Sequence, residues 1–176
     1  MEEKELIERL KKGDIAAKEY LIREYRNLIF NAIFQVSRDK VIAEDALQET
    51  FLRAFKYIKG FKSNANITTW LYRIAMNTLK NEFKKRSNMG VTNDSEVKDV
   101  PLEYSFDEKK KIIWEGMNRL SEEEREIITL VDIRGFSYEE TSKMLDVPVG
   151  TVRSRLARSR DHLRDEILKM NFFDKI

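Results

Sequence analysis

Apolar positions recur with a helical spacing along almost the whole chain. Glu2 to Lys12 reads as a first helix stopped by Gly13. Asp14 caps a long second helix with Ile15, Leu21, Tyr25, Leu28, Ala32 and Val36 near one stripe. Asp39 caps a third, over about Val41 to Ile58, with Leu47, Phe51, Ala54, Phe55 and Ile58 on one face. A polar loop from Gly60 to Ile67 precedes a fourth helix, expected to start at Thr68 and run to about Arg86, with Leu71, Ile74, Ala75 and Thr78 inward. Farther on, Asp107 to Arg119 is helical, and Ser121 with Glu124 and Ser137 with Glu140 form capping boxes that open two more helices. Gly135 between them suits a helix stop, and the last helix begins near Pro148, a residue suited to a first turn. The fold class this predicts is all-α.

Composition supports that class and narrows the chemistry. The 176 residues suffice for one mid-sized domain or two small ones, and with only 6 glycines and 2 prolines an all-β sandwich is disfavoured. The absence of cysteine removes disulfides, thiolate metal sites and cysteine nucleophiles, and a single histidine removes a multi-histidine metal site or a histidine-based triad. No cofactor is expected and the chain does not read as an enzyme. No apolar run reaches the roughly 18 residues of a membrane span, and MEEKELIERL is too charged for a signal peptide, so a cytoplasmic protein without direct membrane insertion is expected. The net charge of +2 hides a division: residues 1–88 carry +6, residues 89–108 carry −5 and residues 109–176 carry +1. The middle block has no helical period. It reads as a flexible acidic linker between two small helical domains, 1–88 and 109–176.

Three helical faces stand out. On the third helix Asp45, Gln48, Glu49, Leu52 and Lys56 lie opposite the apolar stripe. Such a face is either solvated or, with an exposed leucine among acids and amides, a docking surface for a partner helix. On the fourth helix Trp70, Arg73, Asn77, Lys80, Asn81 and Lys84 form a second stripe. Cationic groups there suit phosphates, while amides and an aromatic ring suit bases, although Trp70 fits the core equally well. The loop Lys62-Ser63-Asn64-Ala65-Asn66 adds small polar groups able to surround a single base. The segment from Ser137 to Arg160 reads as helix–turn–helix, with Val149, Val152, Leu156 and Leu163 of the second helix inward and Gly150, Thr151, Arg153, Ser154, Ala157 and Arg158 outward. Arg155, Arg160 and Arg164 add to a dense basic run whose targets are either guanine edges or phosphates. His162 reads as an ordinary surface histidine.

Two long motif blocks tie these faces together. The first comprises Ala43-Glu-Asp-Ala-Leu-Gln-Glu-Thr-Phe-Leu-Arg-Ala-Phe55 and Thr69-Trp-Leu-Tyr-Arg-Ile-Ala-Met-Asn77. The second comprises Leu120-Ser-Glu-Glu-Glu-Arg-Glu and Val147-Pro-Val-Gly-Thr-Val-Arg-Ser-Arg-Leu-Ala-Arg-Ser-Arg160. Over nearly its whole length the chain resembles the extracytoplasmic-function group of bacterial RNA polymerase sigma factors. That resemblance implies that Asp45, Gln48, Glu49 and Leu52 bind the β′ clamp of core RNA polymerase. It implies that Lys62, Ser63, Asn64, Asn66, Trp70, Arg73, Asn77, Lys80, Asn81 and Lys84 engage the −10 element of promoter DNA and hold the opened strand. Thr151, Arg153, Ser154, Arg155, Ala157 and Arg158 would read the −35 element while that domain docks on the β-flap. An anti-sigma factor is the expected restraint, and the linker is expected to thread the polymerase cleft. The chain departs from many relatives at Ser63-Asn64-Ala65-Asn66 and at Ile67, which stands where they have an aromatic residue. Nothing long follows Arg164, so no built-in regulatory domain is expected. Two other readings compete: a stand-alone helix–turn–helix regulator, which leaves the Asp45 and Trp70 faces without a role, and a sigma mimic that titrates an anti-sigma factor.

Overall fold

A computed structural model describes residues 1–62, 66–89 and 107–173, without the side chains of 171–173. All regular structure among them is helical, in eight α-helices: α1 (Glu3–Lys11), α2 (Ile15–Ser37), α3 (Lys40–Tyr57), α4 (Ile67–Asn88), α5 (Glu108–Asn118), α6 (Glu122–Ile128), α7 (Tyr138–Leu145) and α8 (Val149–Phe173). A single 3₁₀ turn, Ile58–Gly60, follows α3, and α6 runs on into a π-helical turn, Thr129–Ile133. The chain divides into two compact units. The first holds α1 to α4 and the second is built mainly from the helices after Glu108. Nearly all of the acidic stretch 89–108 lies outside the described residues.

In the first unit, local chemistry sets the helix ends. Gly13 stops α1 with φ at +81°, a conformation in which any side chain would be strained. The Asp14 carboxylate then accepts the Ala17 N–H (3.2 Å) and the Asp39 carboxylate accepts the Ile42 N–H (3.0 Å). Caps of this kind are worth about 1 kcal/mol each. The Arg9 guanidinium, 2.8 Å from Asp14, keeps that aspartate below its usual pKa, helped by the backbone N–H bond. Between α2 and α3 the chain turns on Arg38, whose left-handed backbone (φ 58°) lets its N–H close on the Phe34 carbonyl at 2.9 Å. The core lies where α2, α3 and α4 meet, around Leu21, Ile33, Ile42, Phe51, Leu71 and Met76. Ile15 departs from the expected stripe: it is the first residue of α2, beyond the end of that core, and is 72% exposed. The fourth helix starts one residue earlier than expected because Asn66, not Thr68, supplies the cap: its side-chain oxygen accepts the Thr68 (2.7 Å) and Thr69 (3.4 Å) N–H groups.

The second unit closes around Trp114, Met117, Ile127, Leu130, Val152 and Leu156. Both capping boxes form: the Ser121 hydroxyl accepts the Glu124 N–H, the Ser137 hydroxyl accepts the Glu140 N–H, and each glutamate returns the bond to its serine N–H at 2.9 Å. α5 and α8 cross at Gly116. A Cβ placed there would stand 2.9 Å from Ile167 Cγ1 and 3.0 Å from Leu163 Cδ1, so any larger residue would force those side chains to shift. Gly135 ends the π turn at φ +74°.

Candidate nucleic-acid and polymerase interfaces

The first candidate surface is built by α3 against α2. Periodicity drives Leu47 and Phe51 inward, to 5% and 6% exposure, and leaves Leu52 64% exposed. Asp45 and Gln48 are also exposed, and Glu49 is half-buried. Ile22, Arg26, Leu47, Gln48, Phe51, Leu52 and Phe55 line an open, mostly apolar groove of about 320 Å³. Glu49 is turned along its own helix to Arg53 (2.6 Å), so part of its charge is already answered. An exposed leucine beside an apolar groove, rimmed by amide and acid, is a surface that gains by burial against another helix.

The second surface runs along α4. Arg73, Asn77, Lys80, Asn81 and Lys84 are all exposed on it, as the sequence pattern expects. Trp70 is half-buried and stands edge-on to Phe61, with ring centroids 5.0 Å apart, while Phe61 itself is 4% exposed. The indole therefore has one side on the core and one toward solvent, beside the exposed Lys62. Asn66 is at the same corner, but its side-chain oxygen serves as the helix cap. Ser63 and Asn64 lie outside the described residues. Phe61 carried no signal of its own in the sequence, because its part is to back the indole.

The third surface is the helix–turn–helix of the second unit. α7 ends at Leu145, and Asp146, in a left-handed conformation (φ 55°), turns the chain. The turn is tied by the Val147 N–H to the Ser142 carbonyl (3.1 Å) and by the Ser142 hydroxyl to the Val147 carbonyl (2.6 Å). Pro148 falls immediately before α8, where its missing N–H costs nothing. Val152 and Leu156 are buried, and Arg153, Ser154, Ala157 and Arg158 are exposed, with Thr151 half-buried beside them. The first three turns of α8 thus present a solvent-facing row of cationic and small groups. The Arg153 guanidinium lies 5.8 Å from the centre of the Tyr138 ring, and Arg158 Nε donates to the Ser154 carbonyl at 3.3 Å.

Not every arginine of the basic run stands on that row. Arg155 is half-buried and 3.7 Å from Glu123 of α6. Arg160 is held by both carboxylate oxygens of Asp132, its Nε at 2.9 Å. That bond makes the Arg160 guanidinium still harder to deprotonate. Nothing in the spacing announces Asp132. The π turn brings it across from α8, 28 residues away in the chain. His162 is not an ordinary surface histidine. It is half-buried, with Nδ1 2.9 Å from Glu124 and Nε2 3.9 Å from Glu166. The helical wheel places His162 only relative to its own helix, whereas Glu124 arrives from α6. Burial pushes the Glu124 carboxyl up, but bonds from the Ser121 N–H, His162 and the Ser121 hydroxyl outweigh it and leave the group below its usual value.

No cluster of metal-ligating side chains occurs among the described residues, and none of their helices is long and apolar enough to cross a membrane. What the two units present is a docking groove and two faces suited to nucleic acid. Comparison with known proteins gives the family. Residues 21–89 match the family described as Sigma-70 region 2, and residues 110–163 match Sigma-70, region 4. The chain is 32% identical to the ECF RNA polymerase sigma-E factor of Haemophilus influenzae, over 92% of this chain and 93% of that one. It is 30% identical to the RNA polymerase sigma-H factor of Pseudomonas aeruginosa, over 91% of each. Among solved structures it is similar to the sigma factor RpoE of Bartonella quintana, crystallised with the anti-sigma factor NepR (27% identity, TM-score 0.73, 86% of this chain and 96% of that one). Its fold is also that of CnrH (TM-score 0.66, 20% identity, 91% of this chain and 93% of that one). With both regions matched in order and a relative at this identity over nearly its full length, the chain belongs to the extracytoplasmic-function group of RNA polymerase sigma factors.

Proposed function

We propose that the first unit, residues 1–88, binds the β′ clamp of core polymerase through Asp45, Gln48, Glu49 and Leu52 and captures the opened −10 strand along Lys62 to Lys84. In the same reading the second unit, residues 109–176, reads the −35 duplex through Thr151, Arg153, Ser154, Arg155, Ala157 and Arg158 and docks on the β-flap. The observation that carries this division is chemical. The α8 face has the shape of a groove-reading helix, whereas the α4 face combines a half-buried indole with exposed amides and cations. A major-groove helix reads a base pair in place. An indole and amides hold a base only after it has left the stack, with contacts worth about 1–3 kcal/mol per base. Two short readouts joined through one polymerase gain specificity by effective concentration.

Arg155 contributes less to base reading than its neighbours because Glu123 already holds it, and Asn66 acts at the −10 surface through the helix start it caps. The protein works in the cytoplasm. An anti-sigma factor restrains it, as NepR accompanies the Bartonella protein. The test is transcription in vitro by core polymerase on a randomised promoter library. A selected pair of spaced elements supports the reading, and initiation that ignores the upstream element refutes it.

A further inference from the structure

The basic run of α8 is not equally available across its width. At about 100° per residue, Arg155 and Arg160 project about 140° apart around the helix. The buried Val152 and Leu156 lie in the sector between them, and the exposed row of Arg153, Ser154, Ala157 and Arg158 fills the wider sector outside. The two arginines are therefore the margins of that row. Each margin is answered by an acid from another segment of the same unit. Arg155 stands 3.7 Å from Glu123 of α6, and Arg160 donates to both carboxylate oxygens of Asp132 in the π turn. Within the row the partners are uncharged: the Tyr138 ring for Arg153 and the Ser154 carbonyl for Arg158. Glu123, Arg155 and Arg158 also line an open polar cleft of about 390 Å³, so an anion entering it meets the glutamate beside the arginines.

The margins of such a helix meet a different part of nucleic acid from its centre. When a helix lies in a groove, its centre faces base edges and its sides face the two phosphate walls. Cations at the sides supply affinity that carries no sequence information. An acid bound to such a cation subtracts from that supply and leaves the base-reading centre as it was.

We propose that Glu123 and Asp132 are counter-charges that hold Arg155 and Arg160 off the phosphates and so cap the sequence-independent affinity of the second unit for duplex DNA. This inference rests on the reading that the outward row of α8 faces the −35 duplex. A genome offers a cationic helix about 10⁶–10⁹ competing sites. Capping the phosphate contribution keeps those sites from holding the free factor, so its binding is decided at the promoter together with core polymerase.

The experiment measures binding of the full chain to two labelled duplexes, one with the selected upstream element and one with that element scrambled, from about 50 to 200 mM salt. Glu123→Gln keeps the size of the side chain and removes its charge, and since the pair is exposed its melt should match wild type. It is expected to tighten both duplexes by the same factor and to steepen the slope of log affinity against log salt by about 0.9, one added phosphate contact. Adding Asp132→Asn is expected to bring the steepening to about 1.8. In an Arg155→Ala background Glu123→Gln is expected to lose its effect, because no held cation remains to be released. An unchanged slope in Glu123→Gln overturns the inference. So does equal steepening with and without Arg155, which would make Glu123 a bare repulsive charge, and so does a gain confined to the selected duplex. Arg158→Ala is the control for the underlying reading. If it binds the selected duplex like wild type, the −35 assignment of α8 fails; if it weakens that duplex while Glu123→Gln leaves both slopes unchanged, only the counter-charge role fails.

Discussion

Truncating Leu52 separates docking from folding. Its side chain is 64% exposed on α3, so Leu52→Ala removes little that the free protein has buried, and the melt should move by less than about 0.5 kcal/mol. On docking, the exposed part would be covered. Fully burying a leucine is worth about 1.5–3 kcal/mol, so the remaining two-thirds offers about 1–2 kcal/mol. In a fluorescence titration with core polymerase this is a weakening of about 5- to 25-fold. Leu47→Ala is the contrast: that residue is 5% exposed and its loss should cost about 2–5 kcal/mol of stability before any partner is added. Glu49→Ala should weaken core binding less than Leu52→Ala, because Arg53 already pairs with that carboxylate at 2.6 Å. Leu52→Ala with wild-type melting and wild-type core affinity would refute the assignment of this groove to the clamp.

Three further outcomes follow from the second unit. Gly116→Ala forces a Cβ to within 2.9 Å of Ile167, and since α5 and α8 must separate or repack, thermal melting should show a loss of about 1–3 kcal/mol. Folding lowers the Glu124 pKa from its usual 4.5, so its stabilising effect is complete above that value and disappears as pH falls through the folded-state value. Glu124→Gln should therefore flatten the acid side of the stability profile below about pH 5, read by denaturant melts, while a slope equal to wild type would contradict it. Arg160→Ala should lower −35 affinity less than Arg158→Ala in a duplex-binding assay, because Asp132 already holds Arg160 whereas Arg158 stands on the outward face.

The parts of this molecule legible in its sequence are those fixed within a few residues of chain. The Asp14 and Asp39 caps, both capping boxes and the Gly13 and Gly135 stops each act over about one helical turn, and each forms as its pattern requires. The inward faces of α3 and α4 were equally plain, since periodicity alone sorts Leu47 from Gln48. What escaped was set by contacts between distant segments. Ile15 satisfies the stripe of α2 but, as the first residue of that helix, is 72% exposed. Polar neighbours in the sequence place Asn66 on the −10 surface but do not announce its second task, the cap its side-chain oxygen supplies to the start of α4. A basic run containing Arg160 and an ordinary surface setting for His162 carry no information about Asp132 or Glu124, which come from other segments. The same limit hid the bond that Glu3 accepts from the Ile67 N–H, 64 residues away.

The division of labour between the two units is tested most directly by permanganate footprinting of unpaired thymines, alongside upstream-element binding, in holoenzymes carrying either Arg158→Ala or Arg73→Ala with Asn77→Ala. The first variant should lose about 1–3 kcal/mol at the −35 element and recover much of its activity on a template already melted around the start site. The second should bind the upstream element normally yet leave the thymines unreactive. If the two variants lose upstream binding and strand opening to the same degree, the two surfaces do not act separately and the account is wrong.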